Sequence, residues 1–300
     1  MFVEKSLDYK SPFGTYLLGS LIVIFLSFIG SLPLTVIAIY ETPNPLVNDP
    51  MDALNSMDSN LRLALVLVSF VFSFLALWLV IRTLHKRSLK SIVTSRKKID
   101  WSRVFFAFVI WGGLTTVLVF TDYFLNPEGF QWNFKPIPFL ILFGIATLLI
   151  PIQTSTEELV FRGYLMQGFG RLFRNRWIPL LLTSLIFGSL HIANPEVGKL
   201  GMGVMFYYIG TGLFLGVLTL MDEGTELALG FHAANNLIGA LLVTADWTAF
   251  QTESVFIDVS EPSLTLELMV SLFVFYPLLL LVFANKYGWK DWYYKLTKKL

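Results

Sequence analysis

Six polar side chains sit in stretches otherwise rich in Leu, Ile, Phe and Val: Glu157, Glu158 and Arg162, then His191, then His232 and Asn236. An ionisable group in an apolar span is costly and needs a partner, so each is a candidate for function. Residues four apart share a helix face, which lets Glu158 pair with Arg162, whereas Glu157 projects about 100° away. One carboxylate is thereby matched by a cation and the other is left over. Phe187 and His191, and likewise His232 and Asn236, repeat the four-residue spacing on their own segments. A carboxylate beside an imidazole can hold a water and take its proton. A second imidazole, with an amide N–H one turn away, offers donors to an oxygen on which negative charge develops. Base, water and oxyanion donors together describe hydrolysis of a peptide bond.

The elements that must position these groups are membrane helices. The 300 residues are 55% hydrophobic and only 14% charged, with 28 Phe, and the mean hydropathy is +0.66. A soluble domain of this length cannot bury that much apolar surface and still cover itself with so few charges. Apolar runs fall at 13–40, 62–81, 104–121, 138–169, 177–192, 202–221, 225–245 and 265–284, each near or above the ~20 residues that cross the hydrocarbon. The expected fold is an all-α polytopic transmembrane helix bundle of about eight spans, a single integral-membrane domain over residues 1–300. Pro151 and the polar stretch 153–158 make the fourth run irregular, and the fifth is short. The first run exceeds the apolar region of a signal peptide and follows a leader of mixed charge, including Glu4, Lys5, Asp8 and Lys10, so it reads as a retained span.

Lys and Arg concentrate in 82–103, in 170–176 and in the C-terminal tail, whereas Glu41, Asp49, Asp52 and Asp58 occupy 41–61. The positive-inside rule then places both termini in the cytoplasm and the protein in the cell membrane. A net charge of +1 gives no basic excess for a nucleic-acid partner, and the absence of Cys removes disulfides and thiolate chemistry. Counted at ~1.5 Å per residue from Arg171 and Trp177, Glu157 and His191 both lie roughly 21 Å from the cytoplasmic end; His232 and Asn236, from Glu223, lie roughly 14 and 20 Å in. The depths agree to about one helical turn.

Other polar or small residues carry less. Phe187 reads as core rather than catalyst, His85 as a solvated side chain in a basic loop, and Arg62 and Glu267 as span-end charges. Gly210, Gly212 and Gly216 read as a close-packing stripe between helices.

Glu157-Glu158-x-x-x-Arg162, Phe187-x-x-x-His191 and His232-x-x-x-Asn236, in that order on successive apolar segments, resemble the three motifs of the CPBP intramembrane protease family, also called the Abi family. That family includes type II CAAX prenyl endopeptidases and bacteriocin-processing or self-immunity proteins. The resemblance covers roughly residues 138–245, taken as the catalytic core. It implies that Glu157 and His191 activate the hydrolytic water and that His232 and Asn236 stabilise the oxyanion, with Glu158, Arg162 and Phe187 in support. The family has been described both as metalloproteases and as metal-independent glutamate proteases. Glu157, His191 and His232 would make a His₂Glu zinc set, but no HExxH helix pre-orients two ligands, so the expectation is a site without metal or other cofactor.

The expected partners are a peptide or lipidated-protein substrate and membrane lipids. Two other classes compete with an endopeptidase. A non-catalytic immunity or binding protein would use the bundle only to hold a partner. A proton-coupled transporter would use Glu, His and Arg as a relay, and it predicts paired broken helices in two halves, which the sequence lacks.

Overall fold

Uninterrupted apolar runs become long helices, because in hydrocarbon every backbone polar group must be satisfied within the segment itself. The computed structural model describes residues 2–7, 9, 11–41, 57–261 and 266–300. Helix α1 spans Phe13–Glu41 and α2 Ser59–Thr83; a short α3, Lys90–Val93, precedes α4, Trp101–Leu125. Strand β1, Phe130–Trp132, leads to α5, Pro136–Glu158, which continues through a π-helical turn, Leu159–Leu165, into α6, Met166–Phe173. Then follow α7, Trp177–Ser189, a short α8, Pro195–Leu200, α9, Met205–Asp222, and α10, Glu226–Leu242. Strands β2, Val243–Thr244, and β3, Phe256–Asp258, precede α11, Leu266–Val270, a second π turn, Ser271–Phe275, and α12, Tyr276–Tyr287. A terminal α13, Trp292–Thr297, closes the chain. Local chemistry sets several of these starts: the Asp58 and Asp100 side chains accept from Leu61 N and Ser102 N, and Pro136 occupies the first turn of α5.

The fold is an all-α polytopic membrane bundle. Each of the eight apolar runs contains a helix, but six of the helices among the described residues are long and apolar enough to cross a membrane. Helix α7 has only 13 residues and α10 only 17, about 20 and 26 Å against a hydrocarbon core of about 30 Å. The expected irregularity at Pro151 is absent, since α5 runs through it to Glu158. The disturbance comes eight residues later, as the π turn that begins at Leu159, a feature that recurs at functional sites.

Helix α10 lies at the centre. Its Phe231 packs on Trp111 of α4, Phe214 of α9 and Tyr276 of α12, forming one aromatic core. The small-residue stripe does pack helices: a Cβ on Gly212 would stand 3.1 Å from the Ser184 backbone of α7, and Gly216 faces Leu180.

The charged segments gather at one end of the bundle. Arg96 and Arg103 pair with Asp222, Arg96 also with Glu226, Arg176 with Glu4 and Glu223, and Lys298 with Glu4. The small sheet lies away from this cluster, with strand order β1-β3-β2: β1 runs antiparallel to β3, Phe130 opposite Asp258, and β2 runs parallel to it, Val243 opposite Phe256. Arg62 donates there to Gln251. Asp8, Lys10, Asp49 and Asp52 lie outside the described residues.

His85 does not sit in solvent as its basic neighbours implied. It is buried, its Nε2 lies 3.0 Å from the Tyr164 hydroxyl, and its ring packs on Tyr16 at 4.6 Å. The loop after α2 folds back over α1 and the π turn, which a count along the sequence does not reveal.

Candidate active site

The last turn of α5 and the π turn after it carry the first motif. Arg162 is wholly buried and donates from Nη1 to Glu158 Oε1 at 3.0 Å, the expected four-residue pair, and from Nη2 to the Gly212 carbonyl at 3.2 Å. The close approach of α9, permitted by Gly212, supplies that carbonyl. Phe187 of α7 lies under the guanidinium, 4.3 Å from the ring centroid, and is itself buried. Its aromatic face favours the cation. Phe187 is indeed core, but core that touches the arginine and both imidazoles of the motifs.

His232 brings α10 into the cluster. Its Nδ1 lies 2.8 Å from Glu158 Oε1, and its Nε2 lies 3.5 Å from Glu157 Oε2. The four-residue rule leaves Glu157 without a cation on its own helix. The structure corrects the idea that it has no partner, because His232 lies between the two carboxylates. Glu158 is fully enclosed, whereas the Glu157 side chain keeps 18% exposure, so Glu157 alone of the pair faces space that a water or substrate can enter. In this cluster Glu158 Oε2 and Arg162 Nε have no hydrogen-bond partner among the described residues.

His191 is placed differently from its expected position within a span. Helix α7 ends at Ser189, and His191 occupies the turn beyond it. Its Nδ1 lies 2.8 Å from the Phe187 carbonyl, and its ring stacks on Tyr208 of α9 at 4.4 Å. Among the described residues no hydrogen bond or ion pair joins His191 to Glu157; Phe187 connects the two halves of the site. Asn236, one turn after His232, donates from Nδ2 to Gln153 Oε1 at 3.1 Å and accepts from Asn235 at its Oδ1. One of its two amide hydrogens is left for another acceptor.

Residues 135–238, which contain every motif residue, match the family described as type II CAAX prenyl endopeptidase Rce1-like. The "Uncharacterized protein YyaK" of Bacillus subtilis (strain 168) is 32% identical over 232 residues, 77% of this chain and 74% of that protein. The chain belongs to the Rce1-like family. No solved structure matches it. The Rce1-like family is generally one of membrane proteases, so the cluster of Glu157, Glu158, Arg162, Phe187 and His232 lies within the matched part of a protease family.

Of the zinc set in this Rce1-like chain, Glu157 and His232 come within 3.5 Å of each other, and among the described residues no hydrogen bond or ion pair joins His191 to either. Among the described residues no group of three His, Asp or Glu side chains is arranged to hold a metal ion. Glu158 and the Phe187 carbonyl engage the Nδ1 atoms of the two imidazoles and leave both Nε2 atoms to face the site. Three further residues belong to the site and escaped the motif reading. Gln153 orients Asn236, Asn235 links that amide to Trp111 Nε1, and Tyr208 stacks on His191. Gln153 and Asn235 have a signal in the sequence, as polar residues in apolar helices one turn before Glu157 and beside Asn236.

Proposed function

We propose that the protein is an intramembrane endopeptidase of the cell membrane that hydrolyses a peptide bond in a prenylated CAAX-type peptide. In this reading Glu157 and His191 activate a water. Its oxygen adds to the scissile carbonyl carbon, and its proton passes through Glu157 to the leaving amine. His232 and Asn236 donate to the oxyanion. Glu158 and Arg162 hold His232 in one orientation, and no metal takes part. The observation that carries this reading is His232 held at Nδ1 by a buried, arginine-paired Glu158 while its other nitrogen faces the part-exposed Glu157.

The test is purified full-length protein incubated with prenylated and unprenylated peptides, comparing wild type with Glu157→Ala and His191→Ala. Loss of a general base should lower kcat about 10²- to 10⁴-fold. Cleavage of unprenylated leader-type peptides alone would move the substrate class to leader or bacteriocin processing. If wild type cleaves nothing and Glu157→Ala leaves the cellular function intact, the protein is a binding factor instead. A strong chelator should leave the rate unchanged; full loss restored by zinc would overturn the metal-free mechanism.

A further inference from the structure

His191 lies past the end of α7, in a turn held by its own N–H on the Gly188 carbonyl at 2.9 Å, and the residue is only half-buried, so its ring direction depends on its side-chain neighbours. The Phe187 carbonyl can only accept, so the 2.8 Å contact at Nδ1 requires the proton there, and in the neutral ring the lone pair is then on Nε2. A water-activating imidazole needs that tautomer and a fixed ring direction. Two aromatic rings flank His191: Phe187, centroid 4.8 Å away and tilted by 54°, and Tyr208, 4.4 Å away and nearly parallel at 23°.

We propose that Tyr208 is the positioning residue for His191, clamping its ring so that Nδ1 stays on the Phe187 carbonyl and Nε2 stays directed at the reacting water. The inference rests on the hydrolytic role given to His191. Two features fix Tyr208 and the turn that carries His191 relative to each other. Helix α9 meets the end of α7 closely, since a Cβ on Gly188 would lie 3.1 Å from the Ile209 backbone nitrogen, next to Tyr208 in the chain. Asn194 N donates to the His191 carbonyl at 3.0 Å, closing the turn that carries the imidazole. Tyr208 thus grips the imidazole through its ring face. Phe187 cannot do this alone, being tilted and already packed against Arg162.

The experiment uses the full chain, with two readouts. The first is hydrolysis of a quenched fluorogenic peptide carrying a farnesylated Cys followed by three residues. The second is the ¹⁵N spectrum of labelled histidine, simple because the chain has 3 His, each assignable by a His→Gln variant. Tyr208→Phe keeps the stacked face and should stay within about threefold of wild-type kcat. Tyr208→Leu, or Tyr208→Met should the Leu variant not accumulate, removes the face. Either should lower kcat about 10- to 100-fold with KM changed less than about twofold. The single Nδ1-protonated His191 signal should persist in Tyr208→Phe and average between tautomers in Tyr208→Leu. Unchanged kcat in Tyr208→Leu would overturn the proposal, and so would a kcat loss with the His191 signal intact, which marks a merely structural role. If wild type cleaves no peptide while the His191 signal changes as described, the hydrolytic reading falls and the clamp stands.

Discussion

Two charged clusters in this molecule use the same residue types and end in opposite conditions. At the polar end, Asp222 alone receives Arg96, Arg103 and the Trp289 indole, and Glu226 shares Arg96. The arginines there keep 25% and 16% side-chain exposure, so their heads reach water while their stems cover the bundle. Within the helices two carboxylates share one arginine and one histidine, and both members of the Glu158–Arg162 pair have no exposure. Acids at the end are bracketed by cations, whereas the inner cluster is short of positive charge and keeps Glu158 Oε2 and Arg162 Nε unmatched. A satisfied network fixes loops. An undersupplied one in a low-dielectric interior holds groups ready to exchange a proton.

Removing the central cation should break the comparison most sharply. In Arg162→Ala, Glu158 loses its only cation on its own helix and Phe187 loses the guanidinium packed on it. Breaking a buried pair from one side costs about 3–5 kcal/mol. A fall in thermal midpoint large enough to abolish folding at growth temperature is the expected result, measured on detergent-solubilised protein. The double variant Glu158→Gln/Arg162→Met should recover most of that stability while leaving hydrolysis impaired. Recovery of hydrolysis as well would show that Glu158 does not orient His232.

At the polar end the same operation should cost less. Arg96→Ala leaves Asp222 with Arg103 and Trp289 and leaves Glu226 with the Asp100 N–H, and the part-exposed position lets water replace some of the lost contacts, so the expected loss is about 1–2 kcal/mol. Raising salt from about 0.1 to 1 M shortens the screening length from about 10 to 3 Å. The penalty of Arg96→Ala should therefore shrink with salt while that of Arg162→Ala does not. Equal salt sensitivity of the two would remove the distinction between the clusters.

What the sequence disclosed was geometry within a helix, and what it hid was geometry between helices. The Glu158–Arg162 pair follows from four-residue spacing, and the glycines at 210, 212 and 216 announce close packing before any partner is known. The position of His232 between Glu157 and Glu158 depends on how α10 is rotated against α5. The π turn adds a residue to the local repeat just where spacing arithmetic is applied. Tyr208 carries no polar signal against an apolar background, since aromatics are common throughout this chain. His191 was legible as a residue but not as the occupant of a turn, because α7 stops short of it.

His85 sharpens the comparison with the smallest effect, as an imidazole buried like His232 but without a carboxylate. Their exposures are 4% and 7%, so burial does not separate them; partners do. The Tyr164 hydroxyl donates to backbone carbonyls of α1, so His85 Nε2–H donates to that hydroxyl, and Nδ1 remains a buried lone pair without a partner. A proton on Nδ1 would find no acceptor and would face the Arg87 guanidinium, which is bonded to Tyr16, Ser91 and Gln167. Burial first, and Arg87 second, push the pKa of His85 down to about 4. The unfolded chain protonates this histidine near pH 6.5. Between about pH 6.5 and 4 the unfolded state therefore binds a proton that the folded state refuses, and stability falls as pH falls through that window. Above it the contribution is complete, and below about pH 4 the slope from His85 ends. His85→Gln keeps a donor for Tyr164 and removes the titration, so its thermal midpoint should fall less steeply than that of wild type from pH 6.5 to 4. The carboxylates titrate alike in both proteins and cancel in the difference. Parallel curves would mean that His85 is protonated in the folded protein and that burial without a carboxylate does not keep this imidazole neutral.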